Sequence, residues 1–218
     1  MKINDKENMI LEARQVVTDA GLYVVPEERF DELATVAARA YENYPLHNWF
    51  SKGTYDFEVT KLIMKITLYS MKNDAVIYAD SEKLNGFIVW LPPGFSGSKA
   101  IPFFKNGGLK LIAHSGLGIV LKLLKYETYA MKLKKKYTSN EDWYVYNLTV
   151  DKEVQNNGVA TKLIKVMIQY CKKENKVIYL ETNKEENVAI YEHFGFKVAQ
   201  EGVIPGTEVK HFAMINEI

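Results

Sequence analysis

Between two stretches of regular patterning the chain reads Gln155-Asn156-Asn157-Gly158-Val159-Ala160-Thr161. A loop entering a helix presents free backbone N–H groups and the positive end of the helix dipole, which suits a phosphate. Gly158 removes the side chain where a ligand must approach closely, and Ala160 is the next smallest choice. Neither GxxxxGK[ST] nor GxGxxG occurs, so this is neither a nucleoside-triphosphate loop nor a dinucleotide fingerprint. Asn187 and Tyr191 are four residues apart and share one helix face. A phenol stays protonated at neutral pH and can donate that proton, although by residue type alone Tyr191, one of 14 tyrosines, reads as a core aromatic. Glu181 lies in line with Val177 and Tyr179. A carboxylate there needs a partner or a cleft, and it reads either as a proton acceptor, direct or through water, or as a structural group fixing Asn183 or the next loop. His47, His114, His193 and His211 are scattered, with no HxH or HExxH spacing, so no metal site is expected. Cys171 falls on an apolar helix face and reads as core.

The elements that must position these groups follow from periodicity. Apolar residues at helical spacing mark helices over 4–20, 27–42 and 159–174, with Leu163, Ile164, Met167, Ile168 and Cys171 on one face of the last. Another helix is expected within 56–72 and a short one from Asn187 to Phe194, capped by Asn183 with Glu186 in a capping-box relation. Gly195 suits the left-handed residue at its end. Strands are expected at 22–25, 75–79, 84–91, 143–150, 177–182, from 196, and at 208–215, with 75–79 and 84–91 forming an antiparallel hairpin. Residues 44–50, which include His47 and Trp49, read as an aromatic loop. Residues 95–140 read as irregular and then helical, with the lysines of 119–137 on a solvated face or, as the alternative, on a phosphate- or substrate-facing patch. Strand–helix–strand over 143–182 implies a parallel pair. The class is therefore α/β with a mixed sheet, in one domain spanning 1–218.

The pattern Q-x-x-G-x-A after a strand resembles the acyl-coenzyme A loop of the GNAT acetyltransferase superfamily, [QR]-x-x-G-x-[GA]. Asn187-Val-Ala-Ile-Tyr191, closed by Gly195-Phe196, resembles the family's Asn-x-x-x-Tyr helix. The match covers roughly 143–199. Gly86 to Gly94, Tyr44-Pro-Leu46 and Tyr179 to Asn183 are similar to the branch that includes puromycin N-acetyltransferase. The resemblance implies a mixed, mostly antiparallel sheet with a parallel strand pair, flanked by helices, with 95–140 as a helical insertion.

It also implies acetyl-CoA as cosubstrate. The amides of Gln155, Asn156, Asn157, Gly158, Val159, Ala160 and Thr161 would hold the pyrophosphate. The strand edge at Leu148, Thr149 and Val150, splayed from strand 177–182, would hold the pantetheine, with Asn187 contacting it. A backbone N–H near Leu148 would polarise the thioester carbonyl. Tyr191 would protonate the leaving thiolate and Glu181 would be the general base, unless the amine arrives neutral. The aromatic segment at His47 and Trp49 would help form the acceptor pocket. Asn156 and Asn157 stand where a basic or glycine residue is commoner, which lowers the local positive charge. Lys162 or Lys165 would meet a 3′-phosphate. The implied reaction is N-acetylation of a small-molecule amine. Acetylation of protein lysines or N-termini, and a non-catalytic acyl-CoA-binding module, are the alternatives.

Composition bounds these readings. The chain has 218 residues, 28 Lys+Arg against 27 Asp+Glu, a net charge of +1 and 47% hydrophobic residues. That balance argues against a nucleic-acid partner. The N-terminus lacks an apolar signal core and no stretch is long enough to span a bilayer, so no membrane association is expected. A lone cysteine excludes an intrachain disulfide framework and suggests the cytoplasm. Arginine occurs at 14, 29 and 39 and nowhere later, so an anion bound further along must be held by lysine, amides or neutral groups. No motif speaks to the oligomeric state.

Overall fold

A computed structural model describes residues 3–95 and 100–216. Residues 96–99, within the expected 95–140 insertion, lie outside the described residues. The elements run α1 (Ile3–Asp19), β1 (Tyr23–Val24), α2 (Phe30–Ala40), α3 (Pro45–Phe50), α4 (Phe57–Met71), β2 (Val76–Ala79), β3 (Gly86–Leu91), α5 (Ala100–Lys105), α6 (Gly108–Ser115) and α7 (Gly118–Tyr137). They continue with β4 (Trp143–Val150), α8 (Val159–Lys173), β5 (Ile178–Thr182), α9 (Glu186–His193), β6 (Lys197–Val203) and β7 (Lys210–Asn216). The strands form one sheet in the order β1-β2-β3-β4-β5-β7-β6, in which β4 and β5 are parallel and every other pair is antiparallel.

The alternation of β3 explains how this sheet is covered. Ile88 and Trp90 point to one face with Trp143, Val145 and Leu180, where α1 and α8 pack. Phe87, Val89 and Leu91 point to the other, with Tyr144 and Tyr179, where α2 and α4 pack. Leu163, Ile164, Met167 and Cys171 of α8 are fully buried, each large apolar side chain contributing about 1.5–3 kcal/mol. Gly86 lets α8 come this close. A Cβ there would lie 2.8 Å from both the Thr149 carbonyl oxygen and Val159 Cγ1. A third apolar cluster joins α3, α4, α6 and α7 around Phe50, Ile63, Ile66 and Leu111.

Several expectations are corrected. Residues 45–50 are a helix rather than a loop, because Pro45 at the first helical turn pre-sets φ and its missing N–H is needed by nothing there. The 27–42 helix opens as a 3-10 turn at Glu27–Arg29, and α2 itself ends at Ala40. The strand at 22–25 shortens to Tyr23–Val24. The lysines of α7 are not uniformly solvated. Lys125, Lys132, Lys135 and Lys136 are exposed, but Lys122 donates to the Trp49 carbonyl and Lys134 is buried beside the Tyr144 ring. Among the described residues no helix is long and apolar enough to cross a membrane.

Candidate active site

The parallel ladder between β4 and β5 is short. It pairs Trp143 with Ile178, Tyr144 with Tyr179 and Val145 with Leu180, and then stops, although β4 runs on to Val150 and β5 to Thr182. On its other side β4 stays paired with β3 out to Gly86↔Val150. The register there shifts, Val89 opposing Asn147 and Trp90 opposing Val145, so Tyr146 is the extra residue of a bulge. The two strands therefore diverge beyond Val145 and leave one edge of β4 without a strand partner.

A cavity of about 840 Å³ opens at this divergence, and Leu148, Glu181, Asn187 and Tyr191 all line it. Leu148 and Tyr191 pack with the core on the α8 face of the sheet. Glu181, two residues on from Tyr179, faces the opposite side with Tyr144. The gap is thus bordered from both faces of the sheet.

Glu181 is held among phenols. Tyr179 Oη donates to its Oε1 (2.7 Å) and Tyr144 Oη to its Oε2 (3.2 Å). Burial pushes its carboxyl up to about 7, while the phenols of Tyr179, Tyr144 and Tyr126 and the charge of Lys134 pull it back. His211, fully buried, lies behind it. Asn183 Nδ2 donates to the Lys210 carbonyl (2.8 Å) and lies 3.2 Å from His211 Nδ1. That amide orientation makes Nδ1 the acceptor, so the ring proton sits on Nε2, 3.8 Å from Glu181 Oε1. Burial holds His211 neutral, pushing it down to about 4.

Tyr191 is buried and packs edge-on against Phe196, with ring centroids 5.9 Å apart. Burial raises its phenol far above the ordinary range, so it stays protonated. Asn187 Nδ2 donates to Thr182 Oγ1 (3.2 Å), which also accepts from the Lys184 amide (3.3 Å). The expected Asn183 cap is corrected. Asn183 is buried against β7, and the cap position of α9 is Glu185, with no side-chain bond. Contacts to His211 and the Lys210 carbonyl satisfy the Asn183 amide better than a solvated helix end would.

The 155–161 loop borders the end of β4 rather than the cavity. Gly158 (φ 78°) is the cap position of α8 and has no atom within 4 Å of an added Cβ, so a ligand has room above it. Asn156 also takes a left-handed backbone (φ 64°), which explains an asparagine there in place of a basic residue. Helix geometry leaves the first-turn amides of Val159, Ala160 and Thr161 without intrahelical acceptors. Gln155 Nε2 donates to the Val150 carbonyl (3.2 Å), folding the loop back on the strand. Thr149 is buried, with Oγ1 3.1 Å from Tyr41 Oη. Arg39 grips Asp151 just after the strand. Lys162 does not reach outward for a phosphate, because its Nζ donates to the Asp80 carbonyl (2.9 Å). Lys165 is exposed.

Outside the 44–50 segment, the aromatic wall went unread in the sequence. Tyr41, Tyr44, Tyr126, Tyr144 and Tyr146 all line the cavity. Tyr44 Oη accepts from the Asn183 amide (3.0 Å) and lies 3.1 Å from Thr182 Oγ1. His47, expected at the acceptor pocket, does line the cavity, stacked on Tyr41 at 4.4 Å and held neutral by burial, which pushes it down to about 3. Trp49 is not among the lining residues. The signal for this wall was weak, since its tyrosines come from three separate stretches, the α2–α3 turn, α7 and β4.

Comparison with known proteins agrees with this geometry. Residues 132–217 match the family model described as Acetyltransferase (GNAT) domain. An uncharacterised N-acetyltransferase of Schizosaccharomyces pombe is 36% identical over 74 residues, which is 34% of this chain and 29% of that protein. The chain thus matches less than a third of that relative's length. Arylalkylamine N-acetyltransferase 2 from Aedes aegypti superposes with a TM-score of 0.57 at 16% identity, covering 90% of this chain and 98% of that one. The Drosophila melanogaster polyamine N-acetyltransferase gives a TM-score of 0.56 at 11% identity, covering 90% and 99%. The chain has the GNAT fold, and residues 132–217 are similar to the GNAT acetyltransferase domain.

Proposed function

We propose that this protein transfers an acetyl group from acetyl-CoA to the amine of a small molecule by direct attack on the thioester. The observation that carries this reading is the β4/β5 divergence, with Leu148 and Tyr191 on one face of the gap and Glu181 on the other. The residues suit the cosubstrate. The open space over Gly158 and the first-turn amides of α8 fit a pyrophosphate, and the unpartnered edge of β4 at Leu148, Thr149 and Val150 fits the amide groups of a pantetheine arm. Acetyl-CoA supplies the activated acyl group. Glu181 takes the proton of the acceptor ammonium, which a carboxyl displaced toward neutrality does efficiently. A backbone N–H near Leu148 donates to the carbonyl oxygen as charge develops on it. Tyr191 holds the proton for the departing sulfur, and Asn187 steadies the arm.

A small acceptor is favoured by the resemblance of residues 44–46 and 86–94 to the puromycin N-acetyltransferase-like branch. Two of the structural neighbours are likewise named for small amines. A single free cysteine, buried in the core, suits the cytoplasm as the proposed compartment.

The test is thermal. Acetyl-CoA at a hundredfold excess over its Kd stabilises the native state by about 2.7 kcal/mol, or ~5–10 °C in Tm for a chain of this size. Gly158→Val, which forces a β-branched residue into a left-handed backbone and fills the space above the amides, abolishes that rise. No rise in the parent at saturating acetyl-CoA refutes the proposal.

A further inference from the structure

The shape of the cavity carries the acceptor's chemical class, granted the acetyl-transfer reading above. We propose that the acceptor is an amphipathic monoamine, with one cationic amine on an alkyl or aromatic body and no anionic group. The gap separates two sides. Leu148 and Tyr191 belong to the α8 face, where the phosphate-binding loop also lies. The larger part of the cavity lies beyond Glu181 on the opposite face, beneath α3, α4, α6 and α7. That chamber therefore receives the acceptor rather than the thioester.

Its walls are mostly apolar. Phe50, Ile63 and Ile66 are buried side chains that line it. Leu117, Leu121 and Phe104 also line it while remaining 72%, 70% and 56% exposed. Large apolar side chains left in water around the opening of an apolar chamber mark a surface that an apolar ligand covers.

Charge narrows the class further. Among the described residues no lysine or arginine lines the cavity, so a carboxylate or phosphate on the acceptor would be buried without a cationic partner. The lining carboxylates are Glu181 and Glu127. Both act electrostatically on Tyr146, so they sit at the tyrosine-rich end. The phenol rings there add cation–π attraction for one ammonium group. Among the described residues no other carboxylate lines the chamber, so a second positive charge at its apolar end has no anion to meet, which argues against a polyamine lying along it.

The experiment measures kcat/KM for the amine at saturating acetyl-CoA, with n-alkyl primary amines from ethyl to hexyl, with 2-phenylethylamine beside phenylalanine, and with spermidine. The expected result is a rise of about fourfold per added methylene, together with a preference above tenfold for 2-phenylethylamine over phenylalanine. Leu121→Gln, a change at an exposed position that leaves folding intact, flattens the methylene dependence. A flat alkyl series, equal rates with phenylalanine, or the best rate with spermidine overturns the proposal. So does a rate that climbs with the thioester's acyl chain length at a fixed amine, since the chamber would then serve the donor. Each of these differs from failure of the acetyl-transfer reading itself, in which acetyl-CoA gives no thermal shift and no amine releases thiol.

Discussion

Replacing Glu181 with glutamine separates a buried carboxyl that works from one that merely packs. The Glu181 side chain is 3% exposed, and burial moves its carboxyl from the ordinary 4.5 up to about 7. Between those values the folded chain keeps a proton that the unfolded chain has already released. Stability therefore falls as pH rises through that window and stays lowered above it. The displacement is worth about 3 kcal/mol by pH 8. Glu181→Gln removes the charge, keeps an oxygen for one of the two phenols and offers its amide N–H to the other. Urea melts from pH 4.5 to pH 8 should show a gap that starts near zero and opens to about 3 kcal/mol in the variant's favour. In Tm this is ~6–12 °C. Activity moves the other way. In the parent, kcat/KM should rise with pH through about 7 as Glu181 loses its proton. The variant should lack that limb and be ~100-fold slower or worse. Parallel stability curves would show that the carboxyl is not displaced. An acid limb retained in the variant would give the base role to another group.

Two further variants test the other sides of the gap. Tyr191→Phe should lower kcat by about 100-fold with acetyl-CoA affinity within about twofold of the parent, measured by thiol release and thermal titration; equal turnover would remove Tyr191 from protonating the sulfur. Arg39→Ala should cost about 1 kcal/mol, the modest figure that suits an ion pair whose arginine side chain is 43% exposed, and should weaken acetyl-CoA binding by loosening the turn after β4; unchanged affinity would show that the Arg39–Asp151 pair does not position the loop.

The elements of the proposed donor side were legible because their signals are local. The 155–161 loop, the Asn187/Tyr191 face and strand 143–150 each lie within a few residues, where spacing and backbone chemistry are the same thing. The acceptor side was not. Phe50, Ile63, Ile66, Leu117 and Leu121 look like the stripe of any helix, and only their placement around a common space makes them walls. Asn183 shows the limit from another direction. Asn183 followed three residues later by Glu186 satisfies the rule for a helix start, but β7 brings His211 and the Lys210 carbonyl within reach, and that tertiary contact takes the side chain. Glu181 stood between two readings for a related reason. Its phenol partners are two residues away in one case, Tyr179, and 37 away in the other, Tyr144, joined through the Tyr144↔Tyr179 register.

That register also explains why the chamber and the donor groove stay aligned. The β4/β5 ladder ends one residue before Glu181, so the carboxyl projects where the strands part. The bulge at Tyr146 then brings Asn147 opposite Val89, and the Asn147 amide donates to the Tyr41 phenol on α2's C-terminal side. Tyr44, three residues further on, ties the start of α3 to the β5–α9 turn through Thr182 and the Asn183 amide. The same turn sets Asn187 through Thr182 Oγ1, and with it the helix that carries Tyr191. One wall of the acceptor chamber and the helix on the donor side are thus joined through Tyr44 and Thr182.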